Sequence, residues 1–72
     1  MPKLYSSKHI IKILAQNGFD FISQKGSHQK FRKQGDPSFI TIVPGNKKEI
    51  PYGTFRAIIV KAHLQESDFK IK

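Results

Sequence analysis

Apolar residues recur along the chain first with a helical period, then by alternation, and finally with a helical period again. Ile10, Ile11, Ile13 and Leu14 fall on one side of a helix that Ser6 or Ser7 can cap. Asn17-Gly18 then ends it, since glycine just past a helix accepts the left-handed conformation that satisfies the last carbonyls. From Phe19 to Gln24 the pattern alternates, with Phe19 and Phe21 on one side and Asp20, Ile22 and Gln24 on the other. Lys25-Gly26 supplies a turn. Ser27 to Lys33 alternates again, which sends Phe31 toward a core and sets His28, Lys30 and Arg32 on the opposite face.

Gln34-Gly35-Asp36-Pro37 predicts a second turn, and Phe39 to Val43 a β-rich strand that Pro44 ends. Strands joined by such short turns must run antiparallel. A polar loop from Gly45 to Tyr52 carries Lys47 and Lys48. Thr54 can then cap a second helix with Phe55, Ile58, Ile59 and Ala62 at i, i+3, i+4 and i+7. A short polar tail follows, Gln65 to Lys72, in which Phe69 can pack with the preceding Leu64 as one extra turn. The expected architecture is a two-layer α+β fold, helix-strand-strand-strand-helix, with both helices on one face of a three-stranded antiparallel sheet. The expected core is Ile10, Leu14, Phe19, Phe31, Ile42, Phe55, Ile58 and Ile59.

Length makes this a single expected domain, 1–72, because a chain this short buries only about 60% of its unfolded surface and cannot divide its core. No cysteine is present, which removes a disulfide frame, a thiolate nucleophile and cysteine-bound zinc. The N-terminal Met-Pro-Lys-Leu-Tyr lacks the apolar stretch of a signal peptide, and no apolar run is long enough for a membrane span, so a cytoplasmic protein is expected. Thirteen Lys and Arg against five Asp and Glu leave a net charge of +8. Such a field draws polyanions, and the same physics would draw a membrane surface or an acidic protein partner; nucleic acid leads only because it is the commonest of these.

The chemistry open to the chain is narrow. Its few carboxylates, Asp20, Asp36, Glu49, Glu66 and Asp68, do not cluster beside the basic strand, as the convergent oxygen ligands of a two-metal nuclease must. His9, His28 and His63 have no metal-binding spacing, so neither a metal nor any other cofactor is expected. Cleavage of RNA without a metal uses the neighbouring 2′-hydroxyl as nucleophile, and needs a base to take its proton and cations to stabilise the phosphorane. An imidazole among Lys and Arg side chains suits those roles. His28 is therefore the candidate acid/base, with Lys25, Ser27, Lys30 and Arg32 around it as candidate RNA contacts. His9, in a first helical turn, and His63, near a helix end, receive no catalytic role. Tyr5 and Tyr52 lie where either could stack a base, although packing against a neighbouring loop explains them as well.

The chain resembles the HicA toxins of HicA/HicB toxin-antitoxin systems over nearly its whole length. The residues that carry the likeness are Ile10-Ile11-Lys12-Ile13-Leu14, Asn17-Gly18-Phe19, Lys25-Gly26-Ser27-His28 with Phe31, Val43-Pro44, and Pro51-Tyr52-Gly53-Thr54-Phe55-Arg56 with Ile59. The resemblance implies a fold like a double-stranded-RNA-binding domain, cleavage of mRNA, a catalytic histidine that maps onto His28, and a HicB antitoxin covering that face. A monomer is expected when the antitoxin is absent. Two departures stand out. Many relatives have a further histidine shortly after the Val-Pro, where this chain reads Gly45-Asn46, and many have glycine where this chain has His63. A single-histidine mechanism follows from the first, and a left-handed or differently ended helix from the second. The alternatives to an mRNA-cleaving toxin are a non-catalytic module that holds duplex RNA by shape, and a basic domain that only binds an acidic protein.

Overall fold

The computed structural model describes residues 4–70, without the side chain of Pro37; the start of the segment read for a leader and the last two residues of the polar tail lie outside it. Helix α1 runs Ser7–Gln16, strands β1, β2 and β3 run Phe19–Lys25, His28–Lys33 and Asp36–Pro44, and helix α2 runs Tyr52–Ala62. A short 3-10 turn, Glu66–Phe69, follows. The strands form one antiparallel sheet in the order β1-β2-β3. This is the expected α+β order.

Local chemistry explains most element ends. Ser6 caps α1, its hydroxyl accepting from the His9 amide at 3.1 Å. The β1–β2 hairpin closes through Gly26 and Ser27, so the turn lies one residue later than expected; Gly26 takes a φ of 59°, open to glycine at little cost. The second turn is also shorter than expected, because Asp36 and Pro37 already belong to β3. At the far end of α2, His63 does adopt the left-handed conformation, with φ 57°. The amides of His63 and Leu64 close back on the Val60 and Ile59 carbonyls, the usual service of a terminal glycine. Its imidazole stacks on Phe39, with ring centroids 3.8 Å apart, which offsets part of the backbone cost.

Helix α2 departs from expectation at its start. It begins at Tyr52 with Pro51 as the preceding cap residue, and no side chain caps it. Thr54 is therefore inside the first turn. Proline's fixed φ near the helical value makes a helix entrance without a capping hydroxyl acceptable.

Both helices pack on the sheet face that presents Phe31, Thr41 and Val43. Together with Phe31 and Val43, the residues Tyr5, Ile10, Ile13, Leu14, Phe19, Ile50, Phe55, Ile58, Ile59, Ala62 and Phe69 make the core. One expected core member is not there. Ile42 is 43% exposed, because its pairing with Lys30 turns it to the opposite face while Thr41, paired with Phe31, points in. The hydroxyl of Thr41 is accommodated by donating to the Ile58 carbonyl at 3.1 Å. The C-terminal turn docks through Phe69, packed edge-on to Phe55, and through His9, whose Nε2 donates to the Phe69 carbonyl at 2.6 Å.

Candidate functional site

The sheet face without helices is the candidate site, and its composition is set by register. Directly opposite residues of an antiparallel pair share a face. On β2 that face carries His28, Lys30 and Arg32; across on β3 stand Pro44, Ile42 and Ile40 in the same order. On β1 the partners of His28, Lys30 and Arg32 are Lys25, Ser23 and Asp20.

This β1 set corrects the alternation read from sequence, which put Gln24 with Asp20 and Ile22. The ladder slips between Phe21 and Ser23, where Ile22 is an extra residue without a partner. Such a bulge reverses the facing of everything after it. Gln24 therefore pairs with Gln29 on the helix side, and Ser23 and Lys25 come to the His28 face. Phe21 lies opposite Phe31 as the alternation required, yet it is 55% exposed.

Ser23, Lys25, His28, Lys30 and Ile42 line an open depression of about 510 Å³. Opposite residues in an antiparallel pair hold their Cβ atoms about 4.5–5.5 Å apart, so Lys25 and His28 can address one phosphate together. Lys30 stands one full alternation along the same strand, about 6.5–7 Å from His28. Arg32 lies on the same face but outside the depression, opposite Asp20. A carboxylate thus does come beside the basic strand at that end, and it is held there by accepting from Gln34 at 2.7 Å. Ser27 is exposed in the turn, outside the depression, and its carbonyl accepts from the Gly45 amide.

The loop after β3 supports the site from behind. Ser7 donates its hydroxyl to the Pro44 carbonyl and accepts from the Lys47 amide at 3.0 Å, while its own amide donates to the Lys47 carbonyl at 2.9 Å. The buried start of α1 is thereby tied to the residue opposite His28. Gly45 is tightly enclosed: a Cβ there would stand 3.0 Å from the Ser27 carbonyl and 2.9 Å from the side-chain nitrogen of Gln29. Lys47 and Lys48 are exposed on the same loop.

The remaining aromatic and histidine candidates sit elsewhere. Tyr5 is buried and stacks on His9 with centroids 5.1 Å apart. Tyr52 donates its hydroxyl to Glu66 at 2.7 Å, and that bond raises its pKa above the usual tyrosine value, assisted by desolvation and the Glu66 charge. Arg56 pairs with the same carboxylate at 3.1 Å. Among the described residues, no three His, Asp or Glu side chains converge as metal ligands would, and no helix is long and apolar enough to cross a membrane.

Sequence reasoning placed His28, Lys30 and Arg32 correctly on one face but missed Ser23 and Ile42. Ser23 was hidden by the bulge, and Ile42 by a run of apolar and β-branched residues in which neither alternate set looks polar.

Fold and face together define a small basic α+β protein whose helix-free sheet surface gathers cations around one imidazole. The family model described as the HicA toxin of bacterial toxin-antitoxin matches residues 7–64, from the first residue of α1 to just beyond α2. The chain belongs to the HicA toxin family, and so is the toxin of a toxin-antitoxin pair; HicA toxins pair with HicB antitoxins. Comparison with curated proteins gives no match.

Proposed function

We propose that this toxin is a metal-independent endoribonuclease that cuts mRNA in the cytoplasm, with His28 as its acid/base. The observation that carries the reading is the pairing of His28 with Lys25 on an exposed face, with Lys30 next in line on the same side. Neutral imidazole at His28 takes the proton of the 2′-hydroxyl as that oxygen attacks phosphorus. Lys25 and Lys30 offset the charge that builds on the non-bridging oxygens. The bond from phosphorus to the 5′-oxygen breaks, and the imidazolium returns its proton to that leaving oxygen. A 2′,3′-cyclic phosphate and a 5′-hydroxyl result. Ser27 and Arg32 extend the RNA contacts to either side of the reacting phosphate.

A HicB-like antitoxin silences the protein by covering the His28 face, and the toxin is a monomer when free of it. The test is incubation of the purified toxin with mRNA in EDTA, followed by analysis of the ends. Cyclic-phosphate and 5′-hydroxyl termini are expected, with the corresponding DNA intact for want of a 2′-hydroxyl. RNA that is bound but left whole would instead make the protein a binding module.

A further inference from the structure

Ile42 is an aliphatic side chain, nearly half exposed, in the wall of a depression otherwise lined by Ser23, Lys25, His28 and Lys30. It stands directly opposite Lys30, and Ile40, partly buried, stands in the same relation to Arg32. The face therefore carries two parallel lanes: a cationic one on β2 and an apolar one on β3. Alternate residues of a strand lie about 6.5–7 Å apart, so each lane repeats at that interval.

A duplex gives such a surface little to hold. Its bases are paired and stacked, and it offers phosphates and 2′-hydroxyls to a protein. An exposed isoleucine beside those cations would then face only the charged sugar-phosphate rim. A single strand differs, because its bases can be splayed from the backbone and laid on an apolar side chain while its phosphates track the cations. We infer that Ile42 is the seat for a nucleobase beside the scissile phosphate, and that the strand lies unpaired along β2 and β3. The inference rests on the proposed nuclease reading for the word scissile, but not for the binding it describes. Ile42 is a binding residue and not a catalytic one: it has no proton to move, and it holds the base alike before and during the reaction.

The test measures binding and cleavage separately. Binding of a labelled single-stranded oligoribonucleotide, and of the same strand annealed to its complement, is followed in the His28→Ala background. Adding Ile42→Ala should weaken single-strand binding by about fivefold, no more than the low end of what loss of an aromatic stacking partner costs, and leave duplex binding unchanged. Ile42→Phe should restore it. With His28 present, Ile42→Ala should raise KM by a similar factor, with kcat altered far less. Thermal unfolding should move little, because Ile42 lies outside the core. Equal single-strand affinity with and without Ile42 would overturn the inference, as would tighter binding of the duplex. So would an Ile42→Ala protein that loses affinity only for the antitoxin. Failure of the nuclease reading has a different signature, a wild-type protein that cuts no RNA, and the binding comparison stands apart from it.

Discussion

Lys25 and His28 form the pair that closes the β1–β2 hairpin, and they share the sheet face that no helix covers. A hairpin with two residues in its turn fixes this juxtaposition more tightly than a long loop would. His28, the proposed acid/base, and the cation of Lys25 are thereby set side by side by backbone geometry alone.

His28→Ala should abolish cleavage and growth arrest while leaving the fold in place. Loss of a general base typically costs about 100-fold to 10,000-fold in rate. His28 is exposed, so its removal opens no cavity, and stability should shift by less than about 1 kcal/mol. A folded variant that cuts RNA at the normal rate would rule out the mechanism.

The cations should be unequal. Lys25→Ala and Lys30→Ala should each lower RNA affinity and reduce the slope of log affinity against log salt by about 0.7, the value for one phosphate contact on a single strand. Arg32→Ala should do less, since Asp20 stands opposite it and already offsets part of its charge. Titration of binding against salt checks this. An unchanged slope in the triple variant would move the RNA to another surface, with Lys47 and Lys48 the next candidates.

Phe31→Ala should cost about 3–5 kcal/mol in urea denaturation, a large share of what a domain of this size has to spare. Phe31 is 3% exposed and belongs to the core to which both helices contribute. A cost below about 1 kcal/mol would mean that the register of β2 is wrong, and that His28 faces inward.

Ser7→Ala should destabilise by about 1–3 kcal/mol, because it leaves the Pro44 carbonyl without its donor and the Lys47 amide without its acceptor. Hydrogen exchange should localise the damage to the Lys47 amide and its neighbours. Unaltered protection there would show that water replaces the hydroxyl at no cost.

The parts of this molecule that were legible in its sequence are those in which period, composition and turn chemistry agree. In β2, apolar Phe31 stands between polar neighbours, so the facing of His28, Lys30 and Arg32 could be read directly. In β3, Phe39 to Val43 offers two alternate sets of similar apolarity, and the choice between Ile42 and Thr41 for the core follows from the register with β2, with the Thr41 hydroxyl satisfied by the Ile58 carbonyl far along the chain. The bulge at Ile22 has no local signal at all, neither glycine nor proline, and it was the bulge that decided which β1 residues join the site. The start of α2 is ambiguous in sequence for a related reason: a proline entrance and, three residues on, a threonine of the type that caps helices give competing signals in one segment.

The strand order has a bearing on how such a toxin can be held silent. His28 is on the middle strand, so its backbone neighbours are already engaged on both sides, while the unpaired edges belong to β1 and β3. A peptide that added itself as a fourth strand would widen the sheet and leave the imidazole as accessible as before. On the proposed mechanism, an antitoxin that silences His28 is one laid over the helix-free face, where it would compete with RNA for the same area.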